Sequence, residues 1–155
     1  CFMRWLAAAH YGSQHGRDVL MSDYDVINYG FPPQMVQNDE MTIFKDAPPP
    51  GIFMGAVLGS PQHFIDILEL FVAAKPCEHD WLEHVQMFHQ DDLSLLIRMF
   101  EKGTLNRPEW LVVKPGCALF PYESWTTSPL VHYAYAMRAA GYWPKCDHIE
   151  KIRPF

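Results

Sequence analysis

A short apolar run that ends in two closely spaced aspartates constrains the fold of this chain more than any other feature. Val19–Met21 has the length and character of a short buried strand. Ser22 follows, and then Asp23 and Asp25 lie on either side of Tyr24. In open α/β sheets, ligands gather at the carboxyl ends of strands. The sequence therefore predicts a functional site directly after this strand.

Helical and strand patterns are mixed along the rest of the chain. Periodic apolar positions predict helices in the segments CFMRWLAAAHYG, SPQHFIDILELFVAAK, DDLSLLIRMFEKG and SPLVHYAYAMRAAG. Gly12 is the predicted end of the first helix, and Ser128 with Pro129 is the predicted start of the last. Strands are predicted at DVLMSD, MTIF, IFMGAVLGS, WLVVK and CALF. With 155 residues and no internal repeat, the chain is predicted to form a single α/β domain over residues 1–155.

Composition and charge exclude several classes of protein. Hydrophobic residues make up 49% of the chain and aromatic residues 14%, which argues against intrinsic disorder. The formal charge of −6 argues against a nucleic-acid-binding role, which calls for a basic face. The chain contains no apolar run of the length that spans a membrane. Its four cysteines include no CxxC pair, so free thiols are expected, and an oxidised pair is the alternative.

The aspartate pair has a metal-binding interpretation and a simpler one. In extended geometry, Asp23 and Asp25 point to the same side, where two carboxylates repel each other unless a proton or a cation lies between them. Magnesium and manganese suit such oxygen ligands, particularly when phosphate oxygens complete the coordination shell. In the simpler interpretation, Asp23 caps the next turn and Asp25 faces solvent.

The segment RWLAAAHYG, followed by VLMSDYDVINYGF, resembles the core of GT-A glycosyltransferases, which use nucleotide sugars. In that family a helix with an Arg or Lys precedes a strand that ends in a DxD motif. The resemblance implies a GT-A-like, Rossmann-related mixed sheet flanked by helices. It also implies that Asp23 and Asp25 hold the divalent metal that bridges the donor diphosphate, and that Arg4 lies near a phosphate or near the DxD motif itself. Tyr24 belongs to the same implied cofactor-binding group as Arg4, Asp23 and Asp25. A solvent-exposed Arg4 is the alternative.

Two further segments resemble parts of the same family. FMGAVLGSPQHFIDILELF resembles a small-residue strand and helix on the acceptor side, where Gly55 and Gly59 would let a sugar approach the backbone. HQDDLSLLIRMF resembles a helix start that carries an acceptor-binding or catalytic carboxylate, which would be Asp91 or Asp92. Alternatively, Asp91 is the N-cap and Asp92 a first-turn acid favoured by the helix dipole.

The same resemblance implies that the late segment SPLVHY supplies a third metal ligand. Many family members use a late histidine for this purpose, and His132 is the candidate. A partly buried histidine with a structural role is the alternative. GT-A domains usually begin with a strand and helix that bind the nucleotide base, so we expect an N-terminal nucleotide-binding segment upstream of Cys1 in a longer parent protein.

The activity implied by this resemblance is transfer of a sugar from a nucleoside-diphosphate sugar to an acceptor hydroxyl. The acceptor would be a carbohydrate, a lipid or a protein. The implied cofactor is Mn²⁺ or Mg²⁺, which would neutralise the charge that develops on the departing diphosphate.

Two other kinds of function use the same features. Haloacid dehalogenase-like phosphatases also place two acids one residue apart after a strand, although there the motif normally lies on the first strand, whereas here a helix precedes it. A non-catalytic carbohydrate-binding or scaffold domain would instead use exposed aromatic rings for stacking. The candidate rings for that role are Trp81, Trp110, Trp125 and Trp143.

A structural zinc site is the last alternative. The segment CEHDWLEHVQMFH contains four residues of zinc-ligating types, Cys77, His79, His84 and His89. Their spacing matches no familiar zinc finger, and solvent-facing histidines are the simpler interpretation.

Overall fold

The computed structural model describes residues 2–32, 39–45, 55–74, 92–120 and 126–133. Three helices and seven strands lie in this part of the chain. In chain order they are α1 (Phe2–His15), β1 (Val19–Ser22), β2 (Val26–Asn28), β3 (Met41–Phe44), β4 (Ala56–Gly59), α2 (Pro61–Ala73), α3 (Asp92–Phe100), β5 (Leu111–Lys114), β6 (Cys117–Leu119) and β7 (Leu130–His132). The architecture is mixed α/β, which confirms the predicted class.

The strands form two mixed sheets. In the four-stranded sheet the order is β1-β4-β3-β5, with β4 antiparallel to both of its neighbours and β3 parallel to β5. In the three-stranded sheet the order is β2-β7-β6, with β7 antiparallel to β2 and parallel to β6. The chain passes from the first sheet to the second between β1 and β2, which is where the aspartate pair lies.

An aromatic cluster packs α1 and α2 together. Trp5 is fully buried, with its ring centroid 5.4 Å from that of Phe71 and 5.8 Å from that of Phe64. Buried side chains of the four-stranded sheet, among them Met41 and Ile43, belong to the same cluster. This packing fixes the first turn of α1, and therefore Arg4, relative to the sheet.

A second apolar cluster joins the two sheets. Phe44 and Leu58 of the four-stranded sheet pack with Cys117 and Leu130 of the three-stranded sheet, and each of the four is buried. Burial of this apolar area holds the sheets in a fixed relation. Side chains at the junction between them therefore have defined positions.

The predicted start of α2 is confirmed, and the predicted end of α1 is wrong. Ser60 caps α2, with its Oγ accepting a hydrogen bond from the His63 backbone N at 3.2 Å. Helix α1 continues past Gly12 to His15, and Gly16 follows with a φ of +60°. Gly12 instead lies buried within the helix, where an added Cβ would come 2.8 Å from Pro61 Cγ. Close packing, rather than helix termination, requires glycine at this position.

The strand predictions hold for five segments and fail in two respects. The segment that begins at Ser128 was predicted as a helix, but Leu130–His132 is a strand, because it pairs with both β2 and β6. Its partner Val26–Asn28 is a strand that the sequence did not predict. Strand β1 is present as predicted but only partly buried, because among the described strands it lies at the edge of its sheet and pairs with β4 alone.

None of the helices in the described segments combines the length and the hydropathy that a bilayer span requires.

Candidate metal centre

The aspartate pair occupies a turn that connects the two sheets. The Asp23 backbone N donates a hydrogen bond to the Gly55 carbonyl oxygen at 3.0 Å, which extends the pairing of β1 with β4. The Asp23 carbonyl oxygen then accepts a hydrogen bond from the Val26 N at 3.2 Å, which closes a turn. The extended geometry predicted for Asp23–Asp25 is therefore wrong. The turn, rather than strand alternation, sets the direction of the two carboxylates.

Pairing of β2 with β7 brings His132 to this turn. His132 lies opposite Val26 in the antiparallel register, and the Tyr133 N donates to the Asp25 carbonyl oxygen at 2.8 Å. His132 was predicted on a helix but lies at the end of a strand. The sheet register nevertheless places its side chain beside the acidic pair.

Asp23, Asp25 and His132 form a compact group, which we call the Asp–Asp–His cluster. His132 Nε2 lies 3.1 Å from Asp25 Oδ1 and 3.9 Å from Asp23 Oδ2. One ligand atom from each residue lies within 4.8 Å of the other two. The side chains of Asp25 and His132 are nearly buried, whereas that of Asp23 is 26% exposed. The cluster is therefore positioned by the fold and accessible from one side.

The donor set and spacing suit one divalent cation. Ligand atoms about 2.0–2.6 Å from an ion lie up to about 4–5 Å apart, so the observed separations require little movement. Two carboxylate oxygens and an imidazole nitrogen are a mixed set, in which carboxylates suit Mg²⁺ and Mn²⁺ while imidazole favours transition metals. Mn²⁺ satisfies both preferences.

Arg4 contacts the opposite oxygen of Asp23. Its Nη1 donates to Asp23 Oδ1, whereas Asp23 Oδ2 is the oxygen nearer to His132. The resemblance implied a position for Arg4 near a phosphate or near the DxD motif itself, and in the structure Arg4 contacts the first aspartate of that motif. Asp23 thus presents one oxygen to a permanent cation and the other to the cluster.

The electrostatic environment of Asp23 disfavours its ionised form. Burial raises the pKa of the Asp23 carboxyl above its ordinary value of 3.8, although the charge of Arg4, its hydrogen bond and the nearby His132 act in the opposite direction. The neighbouring Asp25 adds to the rise. A bound cation would stabilise the ionised carboxylate against these effects.

The side chain of Asp92 lies in the same region, where it is buried and accepts hydrogen bonds. It is the first residue of α3, and its side chain is 4% exposed. Its Oδ2 accepts from Arg4 Nε at 3.0 Å and from Trp5 Nε1 at 2.7 Å. Sequence reasoning did not identify Trp5 as a partner. The one available signal was that a buried tryptophan requires an acceptor for its indole N–H.

The remaining predicted site residues lie in different surroundings. Tyr24 is 92% exposed at the tip of the turn. Gly55 is buried beside Asp23, whereas Gly59 lies at the other end of β4, where an added Cβ would be 3.1 Å from Met41 Cε. Asp91, the proposed zinc segment at residues 77–89, and the tryptophans at positions 81, 125 and 143 lie outside the described residues.

Comparisons of the chain with protein-family models, with curated proteins and with solved structures found no match. The functional interpretation therefore depends on the geometry of the cluster and its neighbours.

Proposed function

We propose that this chain is a metal-dependent, GT-A-like glycosyltransferase domain. It would transfer a sugar from a nucleoside-diphosphate donor to a hydroxyl group of a carbohydrate, lipid or protein acceptor. The observation that carries the proposal is the convergence of Asp23, Asp25 and His132 within 4.8 Å, next to Arg4.

The proposed chemistry requires positive charge where the diphosphate leaves. A divalent cation held by Asp23, Asp25 and His132 would supply that charge when bound. Arg4 adds a permanent positive charge beside Asp23. The charges of Asp23 and Asp25 repel each other, and a divalent cation bound between them would relieve that repulsion, which favours metal binding at this position.

The mixed composition of the cluster favours Mn²⁺ over Mg²⁺. Magnesium prefers an all-oxygen octahedral shell, and an imidazole nitrogen is a poor ligand for it. We therefore expect Mn²⁺ to support activity better than Mg²⁺.

The phosphatase alternative receives less support from the geometry. That chemistry needs the first aspartate as a nucleophile with an available oxygen. Here Asp23 is ion-paired with Arg4 through Oδ1, and its Oδ2 faces His132. These contacts suit an oriented metal ligand better than an attacking group.

Donor turnover in the presence of different metals tests the proposal. The full chain would be incubated with a panel of nucleoside-diphosphate sugars and Mn²⁺, Mg²⁺ or EDTA, and release of the nucleoside diphosphate would be measured. We expect release with Mn²⁺ and none with EDTA. A parallel assay of phosphate release from p-nitrophenyl phosphate examines the phosphatase alternative.

Two aspartate variants make the comparison specific. Asp25→Asn is expected to abolish Mn²⁺-dependent turnover, whereas Asp39→Asn, at an exposed position outside the cluster, is expected to retain it. Turnover that is independent of Mn²⁺ and of Asp25 would contradict the proposal. So would metal-dependent phosphate release without any use of nucleotide sugars.

A further inference from the structure

The buried carboxylate of Asp92 lies outside the Asp–Asp–His cluster and accepts hydrogen bonds from three donors. We infer that Asp92 is a positioning residue: it holds Arg4 so that the guanidinium engages one oxygen of Asp23 and leaves the other oxygen directed towards His132. The inference rests on the proposed function in so far as it concerns a metal ligand. The part of the inference that concerns the hydrogen bond from Arg4 to Asp92 does not depend on a metal.

Burial makes Asp92 dependent on its partners. A carboxylate that is 4% exposed is costly unless hydrogen bonds and opposite charge compensate for lost hydration. Arg4 Nε and Trp5 Nε1 both donate to Oδ2, and the Leu93 backbone N donates to Oδ1 at 3.2 Å. The N-terminal position on α3 adds favourable interaction with the helix dipole. These contacts hold the carboxylate in one place.

Arg4 connects Asp92 to the Asp–Asp–His cluster. Its guanidinium is planar and rigid, so fixing Nε against Asp92 restricts where Nη1 can point. Nη1 donates to Asp23 Oδ1. The orientation of Asp23 is therefore determined partly by α3, an element that supplies none of the three clustered ligand atoms.

As a consequence, the two carboxylate oxygens of Asp23 face different partners. Oδ1 binds Arg4, and Oδ2 lies on the side of His132 Nε2. Hydrogen-bond partners behind a metal ligand commonly change metal affinity by about 10- to 100-fold when they are removed. We expect an effect of that size from loss of Asp92, although Asp92 itself does not belong to the cluster.

This role differs from the catalytic role that the sequence suggested for Asp92. A general base must direct an oxygen to the acceptor hydroxyl, whereas Oδ2 of Asp92 already accepts two hydrogen bonds and the side chain is nearly buried. If Asp92 were a general base, the Asp92→Asn variant would lose turnover while its Mn²⁺ affinity stayed unchanged. If Asp92 is a positioning residue, the variant loses Mn²⁺ affinity.

A double-mutant cycle with Mn²⁺ as the probe tests the inference. Affinities would be measured for the full-length wild type, Asp92→Asn, Arg4→Lys and the double variant. Lysine keeps the positive charge but lacks the rigid fork, so Asp92 remains paired while its control over Asp23 is lost. We expect each single variant to bind Mn²⁺ about 10-fold or more weakly and the double variant to match Arg4→Lys.

Two results of the cycle would overturn the inference. If Asp92→Asn causes the same loss in the Arg4→Lys background as in the wild type, Asp92 acts directly through its charge. If Asp92→Asn binds Mn²⁺ as the wild type does, it does not position the ligand. Should Asp92→Asn fail to fold, Arg4→Lys decides alone, and wild-type affinity in that variant would overturn the inference.

A measurement without metal separates this inference from the proposed function. Solvent exchange of the Arg4 Nε–H, followed by NMR, should be slow in the wild type and in Asp23→Asn but fast in Asp92→Asn. If the wild type binds no Mn²⁺, the proposed metal site is wrong, and exchange alone then decides the role of Asp92. Equal exchange in wild type and Asp92→Asn would refute it.

Discussion

Asp23 is the residue at which opposing electrostatic effects meet. Burial and the neighbouring Asp25 favour its protonated form, whereas Arg4 and His132 favour its ionised form. Burial is the largest of these effects, so the pKa of the carboxyl is raised in the folded protein. Without a metal, ionisation of Asp23 is therefore less favourable in the folded protein than in the unfolded chain.

We expect the metal-free wild type to lose stability relative to Asp23→Asn as pH rises. A raised pKa means that the folded protein binds this proton more tightly than the unfolded chain does. The resulting contribution to the free energy of unfolding is fully present below the ordinary value of 3.8 and is lost as pH rises through the raised pKa. Asparagine cannot titrate, so its variant lacks this loss.

Urea unfolding of both proteins with EDTA, at intervals between about pH 4 and pH 7, measures the difference. Asp39→Asn, which changes an exposed carboxylate, controls for general charge effects. A difference between wild type and Asp23→Asn that stays constant with pH, or that changes in the opposite direction, would show that the pKa is not raised.

Sequence reasoning identified individual residues better than their contacts. The resemblance assigned Arg4, Asp23, Asp25 and His132 to one site, and the structure brings all four together. It could not identify the Trp5–Asp92 hydrogen bond, because a contact between distant positions depends on how α1 and α3 pack. The same packing gives Asp92 buried surroundings that no local pattern indicates.

At the scale of elements, sequence signals correctly predicted a helix start that is determined by interactions between neighbouring residues. The Ser60–Pro61 start of α2 follows from capping chemistry within one helical turn, and the structure confirms it. The similar Ser128–Pro129 signal failed, because Leu130–His132 gains hydrogen bonds from two flanking strands instead. Those partners are distant in sequence, and helix propensity is too weak to resist such tertiary pairing.

Replacing Ser60 tests the contribution of the α2 cap. Ser60→Ala removes the hydrogen bond from the His63 N to Ser60 Oγ, so the free energy of unfolding should fall by about 1 kcal/mol. Urea unfolding provides the measurement. Ser13→Ala, at an exposed position within α1, serves as the control and should leave stability unchanged or slightly increased. Equal stability of Ser60→Ala and the wild type would mean that the cap contributes nothing.

Replacing Gly12 tests how closely α1 packs on its neighbours. A Cβ at this position would lie 2.8 Å from Pro61 Cγ and 2.9 Å from both the Arg17 carbonyl oxygen and Val19 Cγ2. Gly12→Ala should therefore lower the free energy of unfolding by about 1–3 kcal/mol, although alanine is the better helix former. A stabilised variant would show that α1 ends or separates at Gly12, as the sequence first suggested.

At the scale of the whole molecule, the Asp–Asp–His cluster lies where two sheets meet. Asp23 follows β1 of the four-stranded sheet, and His132 ends β7 of the three-stranded sheet. A cation bound to both would add a connection between sheets that otherwise share an apolar cluster. Metal binding and global stability should therefore be linked.

Mn²⁺ is expected to raise the thermal unfolding midpoint of the whole chain. At a free concentration of 100 times Kd, binding stabilises the folded state by about 2.7 kcal/mol, which corresponds to roughly 5–11 °C for a chain of this size. Calorimetry with and without Mn²⁺ measures the shift. Asp39→Asn should show the wild-type shift and Asp25→Asn none. A shift of equal size in Asp25→Asn would indicate that the ion binds elsewhere.

The most direct test of the metal centre is a count of bound Mn²⁺ per chain. Electron paramagnetic resonance of free Mn²⁺, recorded during titration of the full chain, gives both stoichiometry and affinity. We expect one site in the wild type and in Asp39→Asn, and loss of that site in both Asp25→Asn and His132→Gln. An absence of binding in the wild type, or wild-type affinity in Asp25→Asn and His132→Gln, would contradict a cation site formed by Asp23, Asp25 and His132.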